Sequence, residues 1–313
     1  MTATVFIDGV AGTTGLEIRE RLAGRADIEM LTIAEELRKD PTARAEALNA
    51  ADVVILCLPD DAAREAVRLI RNPGVKVIDA SSAHRTAPDW AFGFAELDPG
   101  QRERLVIASR ISNPGCYPTG FLALVRPLIR AGILPPETPM SVNAVSGYSG
   151  GGKSMIAAFE DPASADATQT AYRAYALNLG HKHVPEMQKR AGLSHPPIFF
   201  PAVAKTYRGM IVEVPLHLHL LPGGPSRIAI LDVLRSAYRE SRIVRVAEDS
   251  PSILMIEDCA GTDRLDLHVF ADDQTGQARL VAQLDNLGKG AAGAAVQNLN
   301  LALGLDETEG LKL

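Results

Sequence analysis

A strand, a glycine loop and a helix follow one another within the first 24 residues, and this order restricts the fold more than any other feature of the chain. Residues 4–8 (TVFID) suit a short buried strand, GVAGTTG follows, and LEIRERLAG then spaces Leu16, Ile18 and Leu22 for a packed helix. Gly9, Gly12 and Gly15 therefore form G-x-x-G-x-x-G between a strand and a helix, where bare backbone N–H groups and the helix dipole can hold a pyrophosphate. The spacing is a variant of the usual dinucleotide fingerprint, and a plain tight turn also satisfies it.

The next fifty residues support the nucleotide reading. A strand over 28–33, a helix after Asp40-Pro41, a buried strand over 52–58, a helix over 61–71 and a strand over 75–79 alternate, which predicts a parallel sheet. A further strand is expected over 105–109 (LVIAS). Beyond it Phe121, Leu124, Val125 and Leu128 recur at helical spacing, with a kink expected at Pro127. After about residue 140 the texture changes to longer alternating segments, MSVNAVSG, IFFPAVAK, RGMIVEVPLHLHL, LDLHVF and ARLVAQL, which suit a mainly antiparallel sheet. DDQTGQ marks a hairpin between the last two, and the Ala-rich AAGAAVQNLNLALGL reads as a helix able to pack back onto the first domain. The expected fold is thus α/β, a parallel-sheet nucleotide domain with an α+β domain beside it.

At 313 residues, two domains are the better expectation, and 46% hydrophobic against 22% charged residues excludes disorder and fibrous repeats. A net charge of −6 without a dense basic cluster argues against nucleic acid, and no apolar run approaches the ~18 residues of a membrane span. The N-terminus MTATVFID has no cationic lead and so no secretory signal. Cys57, Cys116 and Cys259 are odd in number and widely spaced, which disfavours disulfides and structural zinc and points to the reducing cytoplasm.

The stretch SNPGCYPTG, Ser112 to Gly120, sets one of these cysteines where a strand turns into a helix. Cys57, inside VILCL, reads as a small buried hydrophobe. Cys116 differs. It follows a strand's C-terminal end, where ligands of open α/β sheets bind, and it opens a helix whose dipole favours a thiolate. A thiolate near a dinucleotide implies an acyl thioester that exchanges hydride with the nicotinamide. That chemistry needs an acid/base, and GHKHVPE offers His181 and His183 in a loop context. His217 and His219 read as structural, and His84 and His195 carry little signal.

The two H-x-H pairs lack further ligands, so no metal is expected. Lys153, in the glycine-rich SGYSGGGKSM, is a candidate anion partner, as are Arg85, Arg110, Lys205 and Arg208. After the second strand come both Glu35 and Glu36, which suit a ribose hydroxyl, and Arg38 and Lys39, which suit a 2′-phosphate; the pattern leaves NAD and NADP both open.

Taken together, these residues resemble the N-acetyl-γ-glutamyl-phosphate reductase family in its shorter form. NPGCYPT (113–119) is similar to the family's active-site signature. GVAGTTG (9–15), DASSAHR (79–85), SGYSGGGK (146–153), GHKHVPE (180–186), RGM (208–210) and DNLGKGAAGAAVQNLN (285–300) match family segments in the same order. The resemblance implies a Rossmann-like NADP domain over 1–115 and 286–313, with a catalytic and dimerisation domain over 116–285, as in the related aspartate-semialdehyde dehydrogenases.

It further implies Cys116 as nucleophile and His183, with His181 in contention, as acid/base. It assigns Gly9, Gly12, Thr13, Thr14, Gly15, Arg38, Pro59, Ser81, Gly150 and Asn286 to NADP, and Arg85, Lys153 and Arg208 to an acyl-phosphate substrate. The implied reaction is NADPH-dependent reduction of N-acetyl-γ-glutamyl phosphate in arginine biosynthesis, by a homo-oligomer, dimer or tetramer. Reduction of another acyl phosphate, aspartyl or carrier-bound aminoadipyl, and a non-catalytic NADP-binding redox sensor are the alternatives. DASSAHR departs from the family at Ala83 and His84, where an acidic and an aromatic residue are usual, and Lys182 replaces an arginine.

Overall fold

Six short strands form the first sheet: β1 (Ala3–Asp8), β2 (Ile28–Leu31), β3 (Val53–Leu56), β4 (Lys76–Asp79), β5 (Ala91–Phe92) and β6 (Arg110–Ser112). They pair in the order β2-β1-β3-β4-β6-β5, parallel throughout. The structure, a computed structural model, describes residues 2–38, 40–249 and 251–313. The chain divides into two units, the first Met1–Ala95, Gly100–Pro114 and Ala291–Leu311, the second Glu96–Pro99, Gly115–Gly290 and Lys312–Leu313.

The first sheet is apolar on both sides, as a parallel sheet covered by helices must be. Val5, Ile7, Val53 and Ile55 face one way, onto Ile18 and Leu22 of α1 (Thr13–Leu22) and onto Ala295, Val296 and Leu299 of the late helix Gly293–Leu303. Phe6, Val54, Leu56 and Val77 face the other way, onto α2 (Pro41–Ala50) and α3 (Asp60–Leu69) through Leu48, Ala63 and Ala66. Asp40 caps α2 by accepting the N–H of Ala43, and Pro41 opens the helix where a missing N–H does no harm.

The strand expected over 105–109 is not there. Gln101–Ile107 is a helix, α4, and the strand lies three residues later, at Arg110–Ser112. Leu105 alone of LVI is buried, while Ile107 is 82% exposed, a pattern one helical face satisfies and a doubly covered parallel strand does not.

The second unit begins with α5 (Cys116–Arg130), followed by β7 (Ser141–Gly147), α6 (Gly152–Glu160), β8 (Tyr172–Ala174) and α7 (Val184–Ala191). Then come β9 (Ile198–Ala204), β10 (Met210–His217), α8 (Arg227–Tyr238), β11 (Val244–Val246), β12 (Leu265–Asp272) and β13 (Gln277–Leu284). Their sheet runs β11-β12-β13-β10-β7-β9-β8 and is mainly antiparallel, with β7–β9 and β11–β12 the parallel pairs. The expected hairpin joins β12 to β13 at Asp272 and Gln277.

α5 runs through Pro127 to Arg130. The carbonyl of Ala123, which would have received the N–H that Pro127 lacks, accepts instead from the Tyr238 hydroxyl of α8 at 2.8 Å. Elsewhere in this unit the ammonium of Lys289 meets the carboxylate of Glu96 at 2.7 Å, both side chains almost fully buried.

Candidate active site

The sheet order of the first unit reverses between β1 and β3, and the ends of these strands carry the glycine loop and the segment 57–59. Gly9 has φ +89°, and a Cβ there would lie 2.3 Å from the Cys57 carbonyl oxygen, so no other residue fits. Gly12 donates its N–H to the Gly9 oxygen at 2.9 Å and is the N-cap of α1, whose first residues are Thr13 and Thr14. A side chain at Gly15 would meet the same oxygen at 2.7 Å. The result is a bare backbone turn at a helix N-terminus, a cradle that fits a dinucleotide pyrophosphate.

Pro59 is the N-cap of α3. Arg38 is exposed and paired with Glu35 at 2.9 Å, while Lys39 lies outside the described residues. At the end of β4, Ser81 donates its hydroxyl to Asp79 at 2.8 Å, and Asp79 also holds Nδ1 of His84 at 2.6 Å. The His84 ring stacks on Trp90 with centroids 4.1 Å apart, a contact across the loop that sequence spacing does not reveal. Arg85 is buried, and its guanidinium donates to the carbonyls of Asn113 and Ala80 at 3.0 and 3.1 Å. Desolvation, with the charges of Asp79 and Asp8, pushes the Cys57 thiol up to about 12.

In the second unit Cys116 is the first residue of α5, half-buried, with Gly115 as N-cap. The helix dipole therefore acts on its sulfur from the positive end. The N–H of Gly115 donates to Glu186 Oε1 at 2.9 Å, and Glu186 is only 1% exposed. Sequence reasoning missed this residue. Glu186 occupies the third position of α7, where a glutamate usually turns back on its own helix, and that position was the available signal.

Gly290 packs on the other side, where a Cβ would come within 2.8 Å of that of Cys116. Next along α5, the buried ring of Tyr117 gathers both candidate histidines, with His181 at 6.1 Å and His183 at 5.8 Å between centroids. The two imidazoles lie 4.7 Å apart, and His181 also packs on Phe199 of β9. His183 is 6% exposed and stands as the N-cap of α7. Tyr117, the residue after Cys116, thus brings both histidines to the first turn of α5.

Gly150 and Asn286 share a second locus in this unit. Asn286 donates to the Ser149 hydroxyl at 2.8 Å and accepts the N–H of Gly209 at 3.0 Å; a Cβ on Gly150 would sit 3.5 Å from its amide nitrogen. Arg208 is ion-paired at 2.9 Å with Asp285, whose carboxyl burial raises above the usual range despite the N–H of Leu287 and the arginine. Lys153, in the first turn of α6, is exposed and makes no ion pair among the described residues. Lys205 is exposed and bonds the Gln169 side chain, and Arg110 bonds the Val75 and Ser109 carbonyls. Among the described residues no three His, Cys, Asp or Glu side chains group as for a metal, and no helix is long and apolar enough to cross a membrane.

Comparison with known proteins bears on both units. A family model described as semialdehyde dehydrogenase, NAD binding domain matches residues 4–105, and one described as semialdehyde dehydrogenase, dimerisation domain matches 116–286. The chain is 52% identical to an N-acetyl-γ-glutamyl-phosphate reductase of Trichormus variabilis, covering 98% of each chain. It is 50% identical to N-acetyl-γ-glutamyl-phosphate reductase 2 of Pseudomonas putida, covering 99% of each. Among solved structures, aspartate semialdehyde dehydrogenase II of Vibrio cholerae superposes with a TM-score of 0.73 at 17% identity, covering 97% of this chain and 99% of that one. The Candida albicans aspartate semialdehyde dehydrogenase with NADP gives 0.64 at 13% identity, covering 96% and 98%. These two likenesses concern the fold.

Proposed function

The chain belongs to the N-acetyl-γ-glutamyl-phosphate reductase family, and from that membership we propose that it converts N-acetyl-γ-glutamyl phosphate to the 5-semialdehyde and phosphate, with Cys116 as nucleophile. The single observation that carries the assignment of Cys116 is its place at the first turn of α5, half-buried, beside a tyrosine whose ring touches two histidines.

The Cys116 thiolate attacks the γ-acyl carbon. A carbon–sulfur bond forms, the carbon–oxygen bond to phosphate breaks, and a thioester remains on the enzyme. When bound, NADPH supplies the hydride that reduces this thioester. Cleavage of the carbon–sulfur bond then frees the aldehyde and regenerates the thiolate. His183 takes the thiol proton at the outset and returns a proton to the departing groups.

Gly9, Gly12, Thr13, Thr14 and Gly15 would hold the pyrophosphate, Arg38 the 2′-phosphate of NADP, and Pro59 and Ser81 would lie along the nucleotide. For Gly150 and Asn286 the cofactor role rests on the resemblance. Lys153 is the substrate-anion partner that its exposure favours, and Arg85 and Arg208 serve the substrate through geometry that Asn113, Ala80 and Asp285 hold. The family description of residues 116–286 supports a homo-oligomer.

The deciding assay is phosphate-dependent NADPH formation from N-acetylglutamate 5-semialdehyde, with aspartate semialdehyde as comparison. Cys116→Ser is expected to lower this rate at least ~10³-fold. Near-normal turnover by the serine variant, or preference for aspartate semialdehyde, overturns the reading. Arg38→Ala is expected to weaken NADPH binding and leave NADH binding unchanged; equal loss for both removes the 2′-phosphate role.

A further inference from the structure

Five polar groups near the start of α5 form a hydrogen-bonded series whose direction is fixed at both ends. The backbone N–H of His183 donates to Nδ1 of His181 at 3.1 Å. At the other end the Tyr117 hydroxyl donates to the carbonyl of Ala202 at 3.0 Å, so its proton is committed there. Its oxygen accepts from the Tyr175 hydroxyl at 3.3 Å, and the Tyr175 oxygen lies 3.5 Å from Nε2 of His181. Each hydroxyl has one proton to give. With both protons pointing toward Ala202, the remaining role for His181 is to donate from Nε2.

We propose that Tyr175, backed by Tyr117, is a positioning residue that receives the Nε2–H of a neutral His181, whose tautomer the His183 backbone N–H sets, so that the proton-accepting role of the reductase falls to His183 alone. The functional half of this inference rests on the proposed reductase activity; the tautomer rests on the contacts themselves.

A second proton on His181 would have to sit at Nδ1, against a backbone N–H that already donates to that atom. Among the groups facing the ring are Tyr117 from α5, Tyr175 from the loop after β8, His183 ahead of α7 and the apolar Phe199 from β9, and the cationic Lys182 is its neighbour in the chain. The imidazole of His183 at 4.7 Å opposes a positive charge beside it. Burial pushes the Tyr175 hydroxyl up to about 12, with the hydrogen bond to Tyr117 opposing and Cys116 adding, so it stays protonated at working pH. Burial likewise raises Tyr117 well above its ordinary range.

The test is nitrogen-15 NMR of histidine-labelled full-length protein together with variant kinetics. His181 is expected to remain neutral and Nε2-protonated from pH ~5.5 to ~8.5, where an ordinary histidine titrates near ~6.5. A titrating His181, or one protonated at Nδ1, overturns the proposal. Tyr175→Phe keeps the ring and leaves the backbone N–H on Nδ1, so it is expected to shift the His181 Nε2 resonance without changing the tautomer and to lower kcat about 10-fold with KM changed less than about 2-fold, whereas Tyr172→Phe, on the exposed β8, leaves both unchanged. An unaltered His181 spectrum in Tyr175→Phe refutes the positioning role.

His181→Gln retains an N–H donor that cannot titrate, and is expected within about 10-fold of the parent while His181→Ala falls about 100-fold. Glutamine as damaging as alanine makes His181 the base and sinks the idea. Parent protein that never forms NADPH from the semialdehyde sinks the reductase reading instead, and the His181 spectrum still decides the tautomer.

Discussion

The amide of Gly115 and the carboxylate of Glu186 are joined by a 2.9 Å hydrogen bond, 71 residues apart in sequence, and this bond ties the start of the cysteine helix to α7. Removing the carboxylate leaves a buried N–H unmatched, at about 1–3 kcal/mol. Glu186→Ala is therefore expected to lower stability by that amount and to slow the enzyme. Glu186→Gln, whose amide oxygen can still accept, is expected to recover most of the stability in urea titration. Equal loss in both variants would show that the bond contributes little.

Gly290 is expected to tolerate no side chain. Gly290→Ala places a methyl where the Cys116 Cβ lies 2.8 Å away, and a shift of about 1 Å at a reacting atom costs on the order of 10²-fold in rate. The expected result is a folded protein destabilised by about 1–3 kcal/mol through overpacking, whose kcat falls about 100-fold. Unchanged kcat in a folded Gly290→Ala protein would refute it.

Tyr238→Phe removes the hydroxyl that satisfies the Ala123 carbonyl in place of Pro127. The expected loss is about 1–3 kcal/mol, read as a lower urea midpoint at constant slope. A change in slope instead would locate the effect in the unfolded chain.

The Asp27 carboxyl is held below the usual carboxylate range, first by its hydrogen bond from Arg25 and opposed by desolvation. A depressed carboxyl stabilises the fold above the unfolded value of ~3.9, and that contribution is lost as pH falls through the lower folded value. Asp27→Asn is therefore expected to cost less than about 1 kcal/mol near neutrality, because the pair is partly solvated. The gap to the parent closes below pH ~3.9. A gap that widens in acid would reverse the assigned sign.

Much of this architecture was legible in the sequence, for physical reasons. The glycine loop was readable because Gly9 and Gly15 stand where a Cβ collides with backbone, and such positions announce themselves by residue type. Cys116 was readable because proline and glycine punctuate the passage from strand to helix. The segment 105–109 misled because three apolar residues in succession fit a buried strand and a helix end equally, and only the exposure of Ile107 separates them.

Glu186, Tyr175 and Tyr238 escaped for a different reason: each acts by contact with a residue far away in the chain, which spacing does not encode. The helix Arg227–Tyr238 was less hidden, since Ser226 caps it through Ala229 and Ile230, Leu234 and Tyr238 recur at helical spacing.

The buried pair of Glu96 and Lys289 has a practical consequence for anyone cutting the gene. Four residues, Glu96–Pro99, are counted with the second unit although the chain on both sides of them belongs to the first. A fragment spanning 115–290 would retain the Lys289 ammonium without its counter-charge, a defect of about 3–5 kcal/mol. Recombination breakpoints set at Pro114 and Ala291 alone leave position 96 to the other parent, so a chimaera keeps this pair only where that parent supplies a carboxylate there.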